Sequence, residues 1–221
     1  MKIKKPTSPR PYWHVDAKWI AGLILTLTLT LTLISYNLNQ VTEEKIITET
    51  ISSGIQALME SETPPKEEEI ALLNTLTTSL YEKGPQALDE LEVDDETKTQ
   101  LAPLITVTGG AKAINEITKT LTTVLAIISG VFLILLVLFS KRFGRLGSPG
   151  IVLFASTFAL TLASTIGLAA ADAGKSPIIK VLKPIIEIVF NNYFTLTITA
   201  LGMIMIALFG GIIWRLTHKF T

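Results

Sequence analysis

Residues Leu121–Ala171 read LTTVLAIISGVFLILLVLFS, then KRFGRLGSPG, then IVLFASTFALTLASTIGLAAA. Two uncharged runs flank a turn that holds Lys141, Arg142 and Arg145. Each run has about the 20 residues that an α-helix needs to cross roughly 30 Å of hydrocarbon. The stretch is expected to be a membrane hairpin. Short loops rich in Lys and Arg stay on the side from which a chain is inserted, so the turn is expected in the cytoplasm.

Two further apolar runs follow the same rule. Trp19 to Tyr36 and Tyr193 to Trp214 are uncharged and long enough to span. The sequence therefore predicts an all-α, polytopic membrane protein with four transmembrane helices and a small helical extracytoplasmic domain between the first and second. In order, the expected parts are a basic cytoplasmic N-terminus (1–18), span one (19–36), an acidic outer domain (37–113) and span two with its lead-in (114–140). A basic cytoplasmic loop (141–150), span three (151–171), an outer loop (172–192), span four (193–214) and a cytoplasmic tail (215–221) complete the chain.

Composition agrees with a chain divided between membrane and water. It is 48% hydrophobic with mean hydropathy +0.49 and zero net charge. The segments placed inside carry ten Lys and Arg against the single acid Asp16; since the chain has 19 residues of each sign, nine basic and eighteen acidic residues remain elsewhere. This polarity follows the positive-inside rule. Basic residues hugging the membrane edge are explained by anionic headgroups and give no support to nucleic-acid binding. Without any cysteine, disulfides, thiolate chemistry and Cys-ligated metals are excluded, so the outer domain must hold by packing alone.

At the N-terminus, Tyr12, Trp13 and Trp19 are expected to anchor span one at the interface, as Trp214 anchors span four. No small-x-small cleavage site follows Ile34, so an uncleaved anchor is expected rather than a signal peptide. Span one contains LTLTLTLTL, with Thr26, Thr28, Thr30 and Thr32 alternating with leucine. Alternation is formally a strand signal. A lone strand in hydrocarbon leaves its backbone unpaired, whereas threonine hydroxyls can bond back within a helix, so helix is the expectation.

In the outer domain, Ile47, Ile51, Ile55, Leu58 and Met59 lie on one helical face. They predict a helix from about Thr42 to Glu60, either running on from span one or separate. Ser61 to Pro65 ends it, Thr63 is a candidate N-cap, and Glu67 to Glu69 open a second helix with the stripe Ile70, Leu73, Leu76 and Leu80. That helix should stop at Gly84-Pro85. Shorter helices are expected over Pro85–Leu91 and Glu96–Leu101, then a bend at Gly109-Gly110 before the lead-in Ala111–Thr120. In the second outer loop, Ile178, Leu182, Ile185, Ile186 and Val189 form an amphipathic segment, kinked or broken at Pro184. It is expected to lie among headgroups or to pack under the acidic domain.

Candidate functional residues fall into two stripes on span three, which should sit centrally in the bundle. Ala155, Ala159, Ala163, Gly167 and Ala171 recur every four residues and let a neighbouring helix approach closely, as Ala207 and Gly211 do on span four. Thr157, Thr161 and Thr165 form a hydroxylated strip, the polar path of the transporter alternative.

Charge within a membrane marks transport or intramembrane catalysis, and the four spans carry none. His14 and His218 are two ligands where zinc takes three or four. The acidic run Asp89 to Glu96 lacks the EF-hand spacing. The expectation is a non-enzymatic accessory or scaffold protein with no catalytic, cofactor or metal site. Its surroundings would be the bilayer and a membrane-protein partner or further copies of itself. An oligomeric transporter or channel for a small solute or ion is the alternative. The expected location is a bacterial plasma membrane, with an internal photosynthetic membrane equally compatible.

Overall fold

The computed structural model describes residues 13–59, 67–84, 86–87, 95–173 and 177–217. Among the described residues there are six long helices and no strand: α1 Trp13–Val41, α2 Glu44–Met59, α3 Glu67–Lys83, α4 Asp95–Phe139, α5 Gly144–Asp172 and α6 Pro177–Thr217. α1, α4, α5 and α6 are each long and apolar enough to cross a membrane. Large apolar side chains cover their outer surfaces, Leu23 and Leu138 among them, as suits helices whose solvent is hydrocarbon. These are the features of a multi-pass helical membrane protein.

The LTLTLTLTL stretch is helical for the reason backbone pairing dictates. Thr26, Thr28, Thr30 and Thr32 donate to the carbonyls of Gly22, Ile24, Thr26 and Thr28 at 2.7–3.0 Å. Each hydroxyl is thereby paired inside its own helix.

α1 runs antiparallel to α4, and α5 antiparallel to α6; α1 and α5 form the inner seam between the two pairs. Leu25, Leu136 and Val152 make the buried cluster where α1, α4 and α5 meet, with Leu29 and Phe132 packed against it. At the basic turn, Arg142 takes a left-handed conformation, φ 50°. That conformation is unfavourable for a residue with a Cβ. Its guanidinium carbon lies 3.8 Å from the centre of the Trp214 ring, an attraction that helps to hold it there.

α2 packs against α6 and α3 against α4 at the distal end, away from this turn. α2 does not run on from α1. The chain turns at Thr42-Glu43, and Tyr81 Oη donates to the Thr42 carbonyl at 2.7 Å. Ile47, Tyr81 and Ala111 form a second buried cluster, with Ile51 beside it. α3 stops where expected: Gly84 has φ 63° and its N–H closes on the Leu80 carbonyl at 3.0 Å, the left-handed cap that glycine adopts without a Cβ clash.

Two expected irregularities fall inside continuous helices. α4 runs unbroken through Gly109-Gly110. Two glycines cost a helix about 1 kcal/mol each relative to alanine, but the flanking Thr108 and Ala111 are buried and hold the helix in line. The separately expected helix 96–101 and the lead-in are parts of α4. Likewise Pro184 lies inside α6, so the segment expected among headgroups or under the acidic domain is not broken there and runs on into the fourth span. Lys183 there pairs with Asp172 at 2.8 Å, and Ile186 packs near Gly167. The expected break at 61–65, the cap Thr63, Asp89–Asp94 of the acidic run, and all but two residues of the helix 85–91 lie outside the described residues.

Candidate functional site

α5 has two faces, and the structure separates them. Thr157, Thr161, Ser156 and Ser164 are turned inward and buried. Thr161 and Thr197 share a hydrogen bond of 2.8 Å, and Thr197 Oγ1 donates to Thr157 Oγ1 at 2.9 Å. Thr157 and Thr161 donate in turn to the carbonyls of Leu153 and Thr157. Ser156 donates to the Thr26 carbonyl of α1 at 3.3 Å. On the other inner interface, Thr32 and Ser129 meet at 3.3 Å and Ser35 donates to the Thr118 carbonyl. The hydroxyls of the spans thus join helices pairwise. Thr165, the third member of the strip, is exposed and bonds back to the Thr161 carbonyl.

The small-residue stripe faces elsewhere. Ala155, Ala159 and Ala163 are exposed, Gly167 approaches Ile186, and Ala171 is buried. The closest α5–α6 approach uses other small residues. A Cβ on Gly150 would stand 3.0 Å from Met203 Cβ, 3.1 Å from Ile204 Cγ1 and 3.2 Å from the Ala200 carbonyl. Gly147 abuts Ala207 in the same way, while Gly211 has no neighbour within 4 Å of its Cβ position. Gly147, Pro149 and Gly150 precede the apolar run, so a span boundary drawn at Ile151 passes over them.

A search of family models, curated proteins and solved structures finds no match to this chain. Its functional reading rests on its own geometry.

A polar cluster that sequence reasoning missed lies at the distal ends of the spans. Asn192 Nδ2 donates to Asn37 Oδ1 at 2.9 Å and to Gln40 Oε1 at 2.6 Å. Asn39 and Asn115 exchange bonds with each other's carbonyl at 3.1 and 2.8 Å. α1, α4 and α6 are clasped there by carboxamides. The available signal was depth: Asn37, Asn39, Gln40, Asn115 and Asn192 all fall within a few residues of an expected span end.

Beside this cluster, the Tyr81 phenol is held above its ordinary pKa. Burial is the main cause, and the carboxylates of Glu44, Glu116 and Glu43 add to it. Among the described residues no three His, Cys, Asp or Glu side chains come together. Trp19 is exposed and Trp214 lies under Arg142; Tyr12, His218 and the side chains of Trp13 and His14 lie outside the described residues.

Two concavities stand out among the described residues. A distal cleft of about 630 Å³ between α2 and α3 is lined by Glu43, Glu44, Glu49 and Lys45, with Asn74 and Thr78 opposite. A groove of about 680 Å³ runs between α1, α4 and α5 near the basic turn; its walls are apolar apart from Lys18, Ser148 and Thr26.

Proposed function

We propose that this chain is a non-enzymatic integral membrane scaffold that docks a membrane-protein partner on the outward face of α5 or on an outer helical domain built from α2, α3 and the start of α4. The observation that carries the reading is the uncovered row Ala155, Ala159 and Ala163, on a helix whose hydroxylated face is already closed against α1 and α6. Small side chains there let a second helix approach closely, and close approach is how helices associate in lipid. Both termini and the Lys141–Arg145 turn are assigned to the cytoplasm by the excess of Lys and Arg, with the acidic α2–α3 end outside. The setting is a bacterial-type plasma membrane.

Affinity purification from the native membrane in mild detergent tests this, run beside a chain with 42–101 replaced by a linker and one carrying Ala159→Leu and Ala163→Leu. A stoichiometric partner lost with either change supports the scaffold and names its docking surface. A homo-oligomer alone in every sample overturns the partner reading.

The alternative, an oligomeric transporter or channel, would draw on the buried column Thr157, Thr161 and Thr197. Conduction would require these hydroxyls to exchange their mutual bonds for bonds to solute. Flux in liposomes that is abolished by Thr157→Val with Thr161→Val would favour it over the scaffold.

A further inference from the structure

The groove between α1, α4 and α5 combines two properties that suit a lipid. It is concave, with Leu23, Leu136, Ile151, Val152 and Ala155 among its walls. It also ends at a cation. Lys18 Nζ and Ser148 Oγ each lie about 4.0 Å from one point above Gly144, where the chain leaves the basic turn. Among the described residues Lys18 has no acidic partner, and Asp16 points to the exposed surface.

The other groups at that end are engaged. Ser140 Oγ donates to the Leu136 carbonyl at 2.7 Å and lies 3.3 Å from Ser148 Oγ, and Arg145 Nε donates to the Ser140 carbonyl at 3.4 Å. With the Ser140 proton on the Leu136 carbonyl, the Ser148 hydroxyl can turn its own proton from Ser140 to an anion in the groove. At the far end, Thr26 is satisfied by the Gly22 carbonyl. The groove thus offers one unpaired cation and one hydroxyl at interfacial depth, followed by an apolar trough. From Lys18 to Thr26 the trough follows α1 for about 12 Å.

We propose that this groove binds an anionic phospholipid of the leaflet on the basic-turn side, its phosphate between Lys18 Nζ and Ser148 Oγ and one acyl chain in the trough. A phospholipid supplies both an anion for Lys18 and an acyl chain for the trough in one molecule. Trp19, 74% exposed on the groove's rim, is placed to report the occupant. The groove shares Ala155 with the row that carries the scaffold reading, while Ala159 and Ala163 lie farther along α5 and outside the groove.

The test uses the full chain with Trp13→Phe and Trp214→Phe, leaving Trp19 as the single tryptophan, reconstituted in vesicles that mix plain phosphatidylcholine with brominated phosphatidylglycerol or brominated phosphatidylcholine. One Lys near the membrane surface gives about a five-fold preference for an anionic lipid. Phosphatidylglycerol is therefore expected to quench Trp19 at about one-fifth the mole fraction that phosphatidylcholine needs. Lys18→Gln should erase the preference while leaving phosphatidylcholine quenching unchanged, and Arg215→Gln should leave the preference intact. Ala155→Phe should reduce quenching by both lipids by filling the trough.

Equal quenching curves for the two lipids, or a preference that survives Lys18→Gln, overturn the proposal. So does efficient disulfide dimerisation of an Ala155→Cys chain, since it would seat a second copy in the groove. The Trp19 reading in intact vesicles needs no Ala155 variant, so a misfolded Ala155→Phe chain would not shield the proposal.

Discussion

Gly150 is the residue at which the α5–α6 interface is least forgiving. Its neighbours at the Cβ position are two side chains and the Ala200 carbonyl oxygen, and a backbone atom cannot rotate away. Gly150→Ala should gain up to about 1 kcal/mol in helix propensity but cost about 1–3 kcal/mol in overpacking, for a net loss of stability. Gly130 is the control. No atom lies within 4 Å of its Cβ position, so Gly130→Ala should be neutral or stabilising. Unfolding by SDS, followed by circular dichroism, should give a lower midpoint for the first variant and an equal or higher one for the second; equal midpoints for Gly150→Ala and the parent would show that α5 and α6 can part at no cost.

Among elements, the distal helices depend on one phenol. Tyr81 sits in the Ile47–Ala111 cluster and caps the Thr42 carbonyl that the α1–α2 turn leaves free. Tyr81→Phe should cost about 1 kcal/mol, the usual loss when a buried hydrogen bond is unmade. Because the folded phenol is raised above its unfolded value, the folded state keeps the proton longer. Its contribution is full below about pH 10 and is lost as pH rises through the folded value. Stability of the parent should therefore fall across that alkaline range more steeply than that of Tyr81→Phe. Denaturant midpoints at pH 8 and pH 10.5 for the two chains provide the comparison, and parallel lines would deny Tyr81 its role.

The elements also show what a one-dimensional reading can reach. Four spans were legible because about 20 uncharged residues in a row admit few other structures, and the α3 stop was legible because Gly84 announces it locally. Gly109-Gly110 and Pro184 read locally as weak points, yet the helices continue through both. Both are helix-weakening by propensity, yet packing around Ala111 and Ile186 decides the outcome, and packing partners distant in sequence leave no mark near the glycine or proline. The hydroxyl strip of α5 was visible as a pattern, but that it meets Thr197 was not. The groove was invisible: its walls come from three helices whose relative rotation no single segment encodes.

At the scale of the whole molecule, charge is sorted along the bundle axis. Lys18, Lys141, Arg142, Arg145 and Arg215 mark one end and Glu43, Glu44, Glu49 and Glu116 the other. The chain has no cysteine, so single substitutions report location without background. Glu49→Cys should react with a membrane-impermeant maleimide in intact cells, and Lys141→Cys only after permeabilisation. The reverse pattern would invert the topology. The carboxamides of Asn37, Gln40, Asn39, Asn115 and Asn192 lie where that sorting changes from apolar span to acidic end, joining the two halves across the boundary.

The unbroken length of α4 has a mechanical meaning. At 1.5 Å per residue its 45 residues form a strut of about 68 Å, of which hydrocarbon covers less than half. A continuous helix behaves as a lever: a tilt of α4 by a few degrees at the basic end displaces its far tip by several ångströms. The α2–α3 end packs against α4 and is carried with it when the basic end tilts.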